Sequence, residues 1–336
     1  MSFATGGDLG GGTYDGSSSK PYQISDAADL KTFASKVNGG ETTAYAVLTQ
    51  DIDMNQGKTV LDGNGDLYNN GEGLETWTPI GTSSAKYNGT FDGNGHTIRG
   101  LYFNDENTNY VGLFGYIVES AKVQNVGVVD SYLKGYSMVG GVVGYNNGIV
   151  NNVYNTGTVS GYDIVGGVVG FFNGGAVSNV YNTGTVSGTD DVGGVVGYNA
   201  GGTVSNVYNT GSVSGDFDVG GVVGYNDNGT VSNVYNTGSV SGYDTVGGVV
   251  GYNNGIVNNV YNTGSVSGYD ILGGVVGYND GSIRNVYNTR SVSGDFDVGG
   301  VVGKMDGGDI NKAYYDKQTC NICNSYGRSE PLTELA

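Results

Sequence analysis

VGGVVGYNNGIVNNVYNTGTVSGY, residues Val139–Tyr162, decides the fold because the chain keeps returning to it. VGGVVG starts at Val139, Val165, Val192, Val219 and Val246, and recurs as LGGVVG at Leu272 and VGGVVG at Val298. A weaker copy, VGLFGY, opens at Val111, making eight. N-V-Y-N-T-G follows at Asn152, Asn179, Asn206, Asn233 and Asn259, and as NVYNTR at Asn285. A period of 26–27 residues held this strictly is the mark of a stacked repeat array.

Each repeat holds three extended runs, G-G-V-V-G-Y, I/V-x-N-V-Y-N and T/S-V-S, separated by turns rich in Gly, Asn and Asp. Valine, tyrosine and threonine suit strands, and glycine at this density would destabilise any helix. The predicted fold is therefore all-β: a parallel β-solenoid with one coil per repeat, right-handed by the usual rule for parallel crossovers. The variation in repeat length falls in one turn, short as Tyr145–Gly148 and long as Phe171–Gly175 or Tyr225–Gly229. Insertions there leave strand register intact, whereas a slip inside a strand would turn every side chain to the wrong face. Equivalent residues then form columns about 4.8 Å apart. Two parities of N-V-Y stay open. Either valines and glycines fill a narrow core with a tyrosine column outside, or asparagines at Asn152 and its equivalents form an inward ladder.

V-G-G-V-V-G-Y-N-x-G and N-V-Y-N-T-G resemble the GLUG repeat of bacterial surface proteins, found in filamentous adhesins, autotransporter passengers and non-catalytic parts of large surface peptidases. The resemblance runs from about Tyr22 to Ala336 and implies an extracellular scaffold. Four segments follow. Residues 1–20, rich in Gly and Ser, read as a flexible leader. No signal segment is visible there, which leaves a processed chain or a piece of a longer one. Residues 21–110 hold an N-terminal capping helix, Ser25-Asp26 to about Asn38 with Leu30, Phe33, Ala34 and Val37 on one face, and irregular lead-in coils with an insertion between Met54 and Trp77. Residues 111–316 are the eight repeat coils. Residues 317–336 form a C-terminal capping segment in which Leu332 and Leu335 cover the bottom end.

A net charge of -18 argues against nucleic acid and anionic membrane as partners, and no apolar run reaches spanning length. Enzyme chemistry has little support: the one histidine, His96, sits in a turn-rich segment, and Lys134, Arg284, Arg290 and Lys304 are scattered. A polysaccharide-active site is therefore a lesser reading, as is an ice-binding face made of the T-G-T and T-G-S copies beginning at Thr156 and Thr183. The lone C-x-x-C, Cys320 and Cys323, reads as a small disulfide loop, half a metal site or a redox pair. A single histidine and no second pair disfavour zinc, and the secreted character favours the disulfide.

The acidic and aromatic turn before each glycine-valine block is the candidate ligand site. Its members are Tyr162-Asp163, Asp190-Asp191, Asp216-Phe217-Asp218, Tyr243-Asp244, Tyr269-Asp270 and Asp295-Phe296-Asp297. Aromatic groups beside carboxylates suit sugars, and stacked carboxylates suit either solvent or calcium between coils; no other cofactor is expected. The expected role is a surface adhesin that binds glycans or host and matrix proteins through many weak contacts, with a passive spacer in a larger surface peptidase as the alternative.

Overall fold

The computed structural model describes residues 7–317, Cys323 and residues 327–330. It is a parallel β-solenoid of about 11 turns with one helix, α1 (Ala27–Asn38), at its N-terminal end. The strands stack into one 14-stranded, one 7-stranded and two 8-stranded sheets. Equivalent residues pair in register from coil to coil, for example Val180↔Val207 and Tyr181↔Tyr208.

A coil has four strands and not three. In one repeat they are Asp190–Gly193, Val196–Ala200, Thr203–Asn209 and Val213–Ser214, so each sheet carries one motif: DVG, GYN, NVYN or TVS. G-G-V-V-G-Y, read as one run, breaks at its double glycine. A Cβ on Gly193 would lie 1.8 Å from the carbonyl oxygen of Val196, and one on Gly194 would lie 2.1 Å from that of Gly221. The corner therefore folds tightly on itself while touching the next coil, and only glycine leaves room for both.

Of the two parities the first holds, with valines inside and tyrosines outside, and an asparagine ladder is added at a different position. In Thr203–Asn209 the inward residues are Val204, Val207 and Asn209, with Ser205 and Asn206 together facing outward. Asn206 takes φ 56°, as do its equivalents Asn152 (52°) and Asn259 (55°), and this left-handed residue resets the alternation. Asparagine tolerates that conformation better than other non-glycine residues. Asn152 is consequently exposed, and the inward ladder stands three residues later, at Asn155, Asn182, Asn209, Asn236, Asn262 and Asn288, all fully buried.

Each interior amide of this ladder is saturated. Asn209 Nδ2 donates to Asn236 Oδ1 (2.9 Å) and the Gly211 carbonyl (2.8 Å), while its Oδ1 accepts from Asn182 Nδ2 (2.9 Å) and the Gly211 N–H (3.2 Å). A second ladder runs through Asn199, Asn226, Asn253 and Asn279. Phe172 stands where that ladder would continue to Asn146, and Asn146 Nδ2 is left buried without a partner. The first ladder begins above Val128 and ends at Tyr315, which occupies the slot after Asn288.

The core is valine through the repeats but aromatic beneath the cap, where Phe33, Tyr87, Phe91 and Phe114 pack with centroids 5.2–6.0 Å apart. Asp26 caps α1 by accepting from the Asp29 N–H (2.8 Å), and Leu30, Phe33, Ala34 and Val37 are buried as expected. Residues 7–20, read from composition as a flexible leader, are tied to this cap. Leu9 is buried, and Asp29 Oδ1 accepts from the N–H groups of Gly7 (2.9 Å) and Leu9 (3.1 Å). Burial would raise the Asp29 pKa, but hydrogen bonds from Ser25, Leu9 and Gly7 outweigh it and hold the carboxyl below its usual range. The insertion forms a side loop, closed by a Leu61↔Leu67 bridge, that lies back along the array; Thr158 donates to its Gly65 carbonyl. At the other end Arg328–Glu330 extends the NVYN sheet beside Tyr314–Asp316, and Cys323 packs against the core. Cys320, Leu332 and Leu335 lie outside the described residues.

Asn209→Asp keeps the volume but removes both donors and buries a charge. It should destabilise the array by about 3 kcal/mol or more, against roughly 1–3 kcal/mol for Asn209→Ala. Denaturation midpoints should show that order, with the gap narrowing on acidification as the carboxyl protonates.

Candidate functional site

The turns singled out in the sequence stack along one edge of the solenoid, and strand register sorts them into three columns. Three residues before each block valine stand Tyr162, Thr189, Asp216, Tyr243, Tyr269 and Asp295. Two before stand Asp163, Asp190, Phe217, Asp244, Asp270 and Phe296; one before stand Ile164, Asp191, Asp218, Thr245, Ile271 and Asp297. Acid thus shifts between columns from coil to coil, so no run of Asp in a column exceeds two coils, although Asp163 and Asp190, Asp191 and Asp218, and Asp244 and Asp270 still stand next to one another.

The outer columns form an exposed aromatic corner. Tyr162, Tyr243 and Phe296 are 54%, 53% and 60% exposed. Tyr136 stacks on Tyr162 at 5.3 Å and Tyr243 on Tyr269 at 5.1 Å, while Phe217 and Phe296 meet their tyrosine neighbours edge-on. This edge-on packing leaves ring faces open to solvent. The two long tyrosine ladders differ. Tyr154 to Tyr287 on the NVYN sheet stack at 4.7–5.0 Å with planes within 4° of parallel, so each ring covers its neighbour and shows solvent only an edge and a hydroxyl. The GYN ladder from Tyr116 to Tyr278 is built the same way. Sugar stacking is therefore open to the corner and closed to the ladder interiors.

The inner column turns the other way. Left-handed φ is taken by Met138 (57°), Ile164 (55°), Asp191 (48°), Asp218 (47°) and Thr245 (55°), though not by Ile271 or Asp297. Tyr110, at the same offset before Val111, packs on the ladder rings of Tyr116 (5.5 Å) and Tyr145 (6.2 Å), showing that this position addresses the GYN ladder. Most coils fill it with an apolar or neutral residue; the last coil has an exposed Asp297 there, and two adjacent coils place the half-buried Asp191 and Asp218 there. Burial first, then the charges of Asp218, Asp190 and Asp163, push Asp191 up to about 8. Burial, then Asp190 and Asp244, push Asp218 up to about 7. Asp190 is raised as well, by burial and then by Asp163.

Asp190, Asp191 and Asp218 are the predicted residues that the fold brings together: one oxygen of each lies within 4.8 Å of the others. Asp216, Asp295 and Asp297 are exposed on the corner instead. Three carboxylates could supply part of an all-oxygen calcium shell, with water completing it. Sequence reading missed Asp227, whose Oδ2 accepts from the Tyr198 hydroxyl (3.2 Å), and the link between Asp191 and the ladder. The available signal was the offset shared with Tyr110. His96 stands apart in the lead-in coils, its Nδ1 3.4 Å from Asp51.

A repeating coil with four motif-specific sheets, internal asparagine ladders and an aromatic-acidic edge defines a surface-protein-like repeat scaffold. Residues 188–214, 215–241 and 268–293 match the GLUG motif, so three stretches of this β-solenoid carry that repeat. It is 34% identical over 142 residues, 41% of its length, to a protein of Evansella cellulosilytica assigned provisionally as a Gly-rich membrane protein, and 34% identical over 149 residues, 44% of its length, to halomucin of Haloquadratum walsbyi. The matched stretches span 15% and 2% of those relatives. A solved structure from Bacteroides ovatus, assigned provisionally as an immunoglobulin A1 protease, superposes with TM-score 0.57 at 22% identity, over 91% of this chain and 89% of that one, which establishes a shared fold.

The raised carboxyls make stability depend on pH with a definite sign. In the unfolded chain both ionise near pH 4. In the fold they hold protons up to about 8 (Asp191) and about 7 (Asp218), so between those limits the native state binds more protons and stability falls as pH rises. Thermal melts from about pH 5 to pH 9 should show a steeper fall for wild type than for D191N/D218N, with the double variant more stable at the alkaline end by roughly 1–3 kcal/mol. Parallel curves would mean that the two carboxyls ionise as freely as exposed ones.

Proposed function

We propose that this chain is the binding part of a bacterial surface adhesin, secreted or displayed at the cell surface, and works without catalysis. The observation that carries the reading is the corner of exposed aromatic side chains, repeated along a rigid array beside carboxylates. Individual contacts there are weak, since each offers one ring and one or two polar groups. Their regular spacing lets contacts to a repetitive partner add by multivalency. Glycans and the proteins of host or matrix surfaces are such partners. The acidic balance of the chain and the surface-type relatives support an extracellular location, and among the described residues no helix is long and apolar enough to cross a membrane.

Binding of the chain to a panel of glycans and matrix proteins tests this. Changing Tyr162, Tyr243 and Tyr269 to alanine one after another should weaken a hit in steps, by roughly threefold to tenfold each. A single all-or-none site would contradict the multivalent mechanism. A second reading, a spacer within a larger surface enzyme, is favoured by the fold match to the Bacteroides ovatus protein, and silence across the panel would select it.

Calcium is the ion that Asp190, Asp191 and Asp218 suit by charge and donor type. Millimolar calcium should raise the melting temperature at about pH 8 more than at about pH 5, where protons occupy the same carboxyls. The increment should vanish in D191N/D218N; an equal increment in that variant would place any calcium elsewhere.

A further inference from the structure

The outward face of the GYN sheet is unpartnered and strongly anionic. Its ladder, from Tyr116 to Tyr278, sets rings 4.1–5.2 Å apart. Asp191 and Asp218 flank the middle rungs on one side, and Asp227 binds the Tyr198 hydroxyl on the other. Both ends of the ladder already seat an ammonium group. Lys86 Nζ lies 4.6 Å from the Tyr116 ring centroid, and Lys304, which takes the ladder position in the coil after Tyr278, lies 5.9 Å from the Tyr278 ring. Among the described residues no cation–π contact occurs at the rungs between them.

We propose that this face binds a linear aliphatic polyamine laid along the solenoid axis, with its protonated nitrogens between the phenol hydroxyls and carboxylates of the Tyr198–Tyr252 stretch. Three observations select that chemistry. Asp227 makes one flank negative and Asp191 and Asp218 make the other so as they ionise, which a cation would favour, so the partner is cationic. The rungs repeat at one coil rise, close to the separation of nitrogens joined by three methylenes, so nitrogens joined in that way meet successive coils. An extended peptide would fall out of step, because its same-face side chains recur at about 6.6–6.8 Å. The methylenes lie over ring edges, while the ladder-end lysines keep the chain from running past the array.

Titration calorimetry of the chain with spermine tests this, with magnesium at equal charge as the comparison. Spermine should bind saturably and at least tenfold more tightly than magnesium, and D191N/D218N should weaken it at least tenfold. Asp227→Asn, in the turn that tolerates length changes, should weaken it severalfold and carries the test should the double variant fold poorly by circular dichroism. No saturable binding at millimolar spermine, equal binding by both variants, or magnesium matching spermine charge for charge would overturn the proposal. The adhesive reading is independent of it, since spermine binding and a blank glycan panel can coexist.

Discussion

Most side chains in the repeats lie one coil rise above a copy of themselves, and that constraint governs the choice of residue at each position. A column is stable only when its residue tolerates its own repetition about 4.8 Å away. Valine does so by dispersion and burial, tyrosine by offset stacking, and glycine by leaving room for the neighbouring backbone. Asparagine does so because it carries donors and acceptors together, so that Asn182, Asn209 and Asn236 satisfy one another without limit of length. These four residues dominate the repeats for that reason. Aspartate fails the test, and its drift among three corner columns is the sequence-level trace of the failure.

The same constraint explains where the array varies. A turn that bulges outward does not stack tightly, so Phe171–Gly175 and Tyr225–Gly229 absorb an extra residue while Val177↔Val204 and Val204↔Val231 stay in register on either side. Buried columns have less freedom. Phe172 breaks the second asparagine ladder and leaves Asn146 Nδ2 unpaired, yet its ring lies where a Cβ on Gly202 would come within 2.1 Å. One lost amide contact is offset by buried aromatic area and a glycine placed to receive it.

Much of the fold was legible because a strict period leaves few architectures, and because α1 carries its cap and apolar face in adjacent letters. The errors share a cause, which is that local letters do not show where the backbone turns. Gly193-Gly194 reads as part of a strand until the neighbouring coil is present to require the corner. Asn206 reads as either parity until its left-handed φ resets the alternation, although the unvarying Asn at that position was a hint of it. The leader looked flexible because Asp29, whose carboxylate holds Gly7 and Leu9, lies 22 and 20 residues further along the chain. At the candidate site the corner residues were legible as a set, but their division into exposed and inward columns was not.

That division gives the middle of the array its character. Position by position, the inner column holds Met138, Ile164, Asp191, Asp218, Thr245, Ile271 and Asp297; Asp297 is exposed, whereas Asp191 and Asp218 replace residues that would have packed against the ladder. Replacing an apolar contact by a half-buried carboxyl next to another carboxyl is unfavourable for folding on two counts, desolvation and repulsion, and both appear in the raised pKa of each group. Nothing in the stacking of the coil requires it, since neighbouring coils do without. Burial and mutual charge of this kind are what sites for cations are made of, because a bound cation relieves both terms at once. The array is therefore repetitive in its scaffold and departs from its own stacking rule on its GYN face, where Asp191 and Asp218 meet.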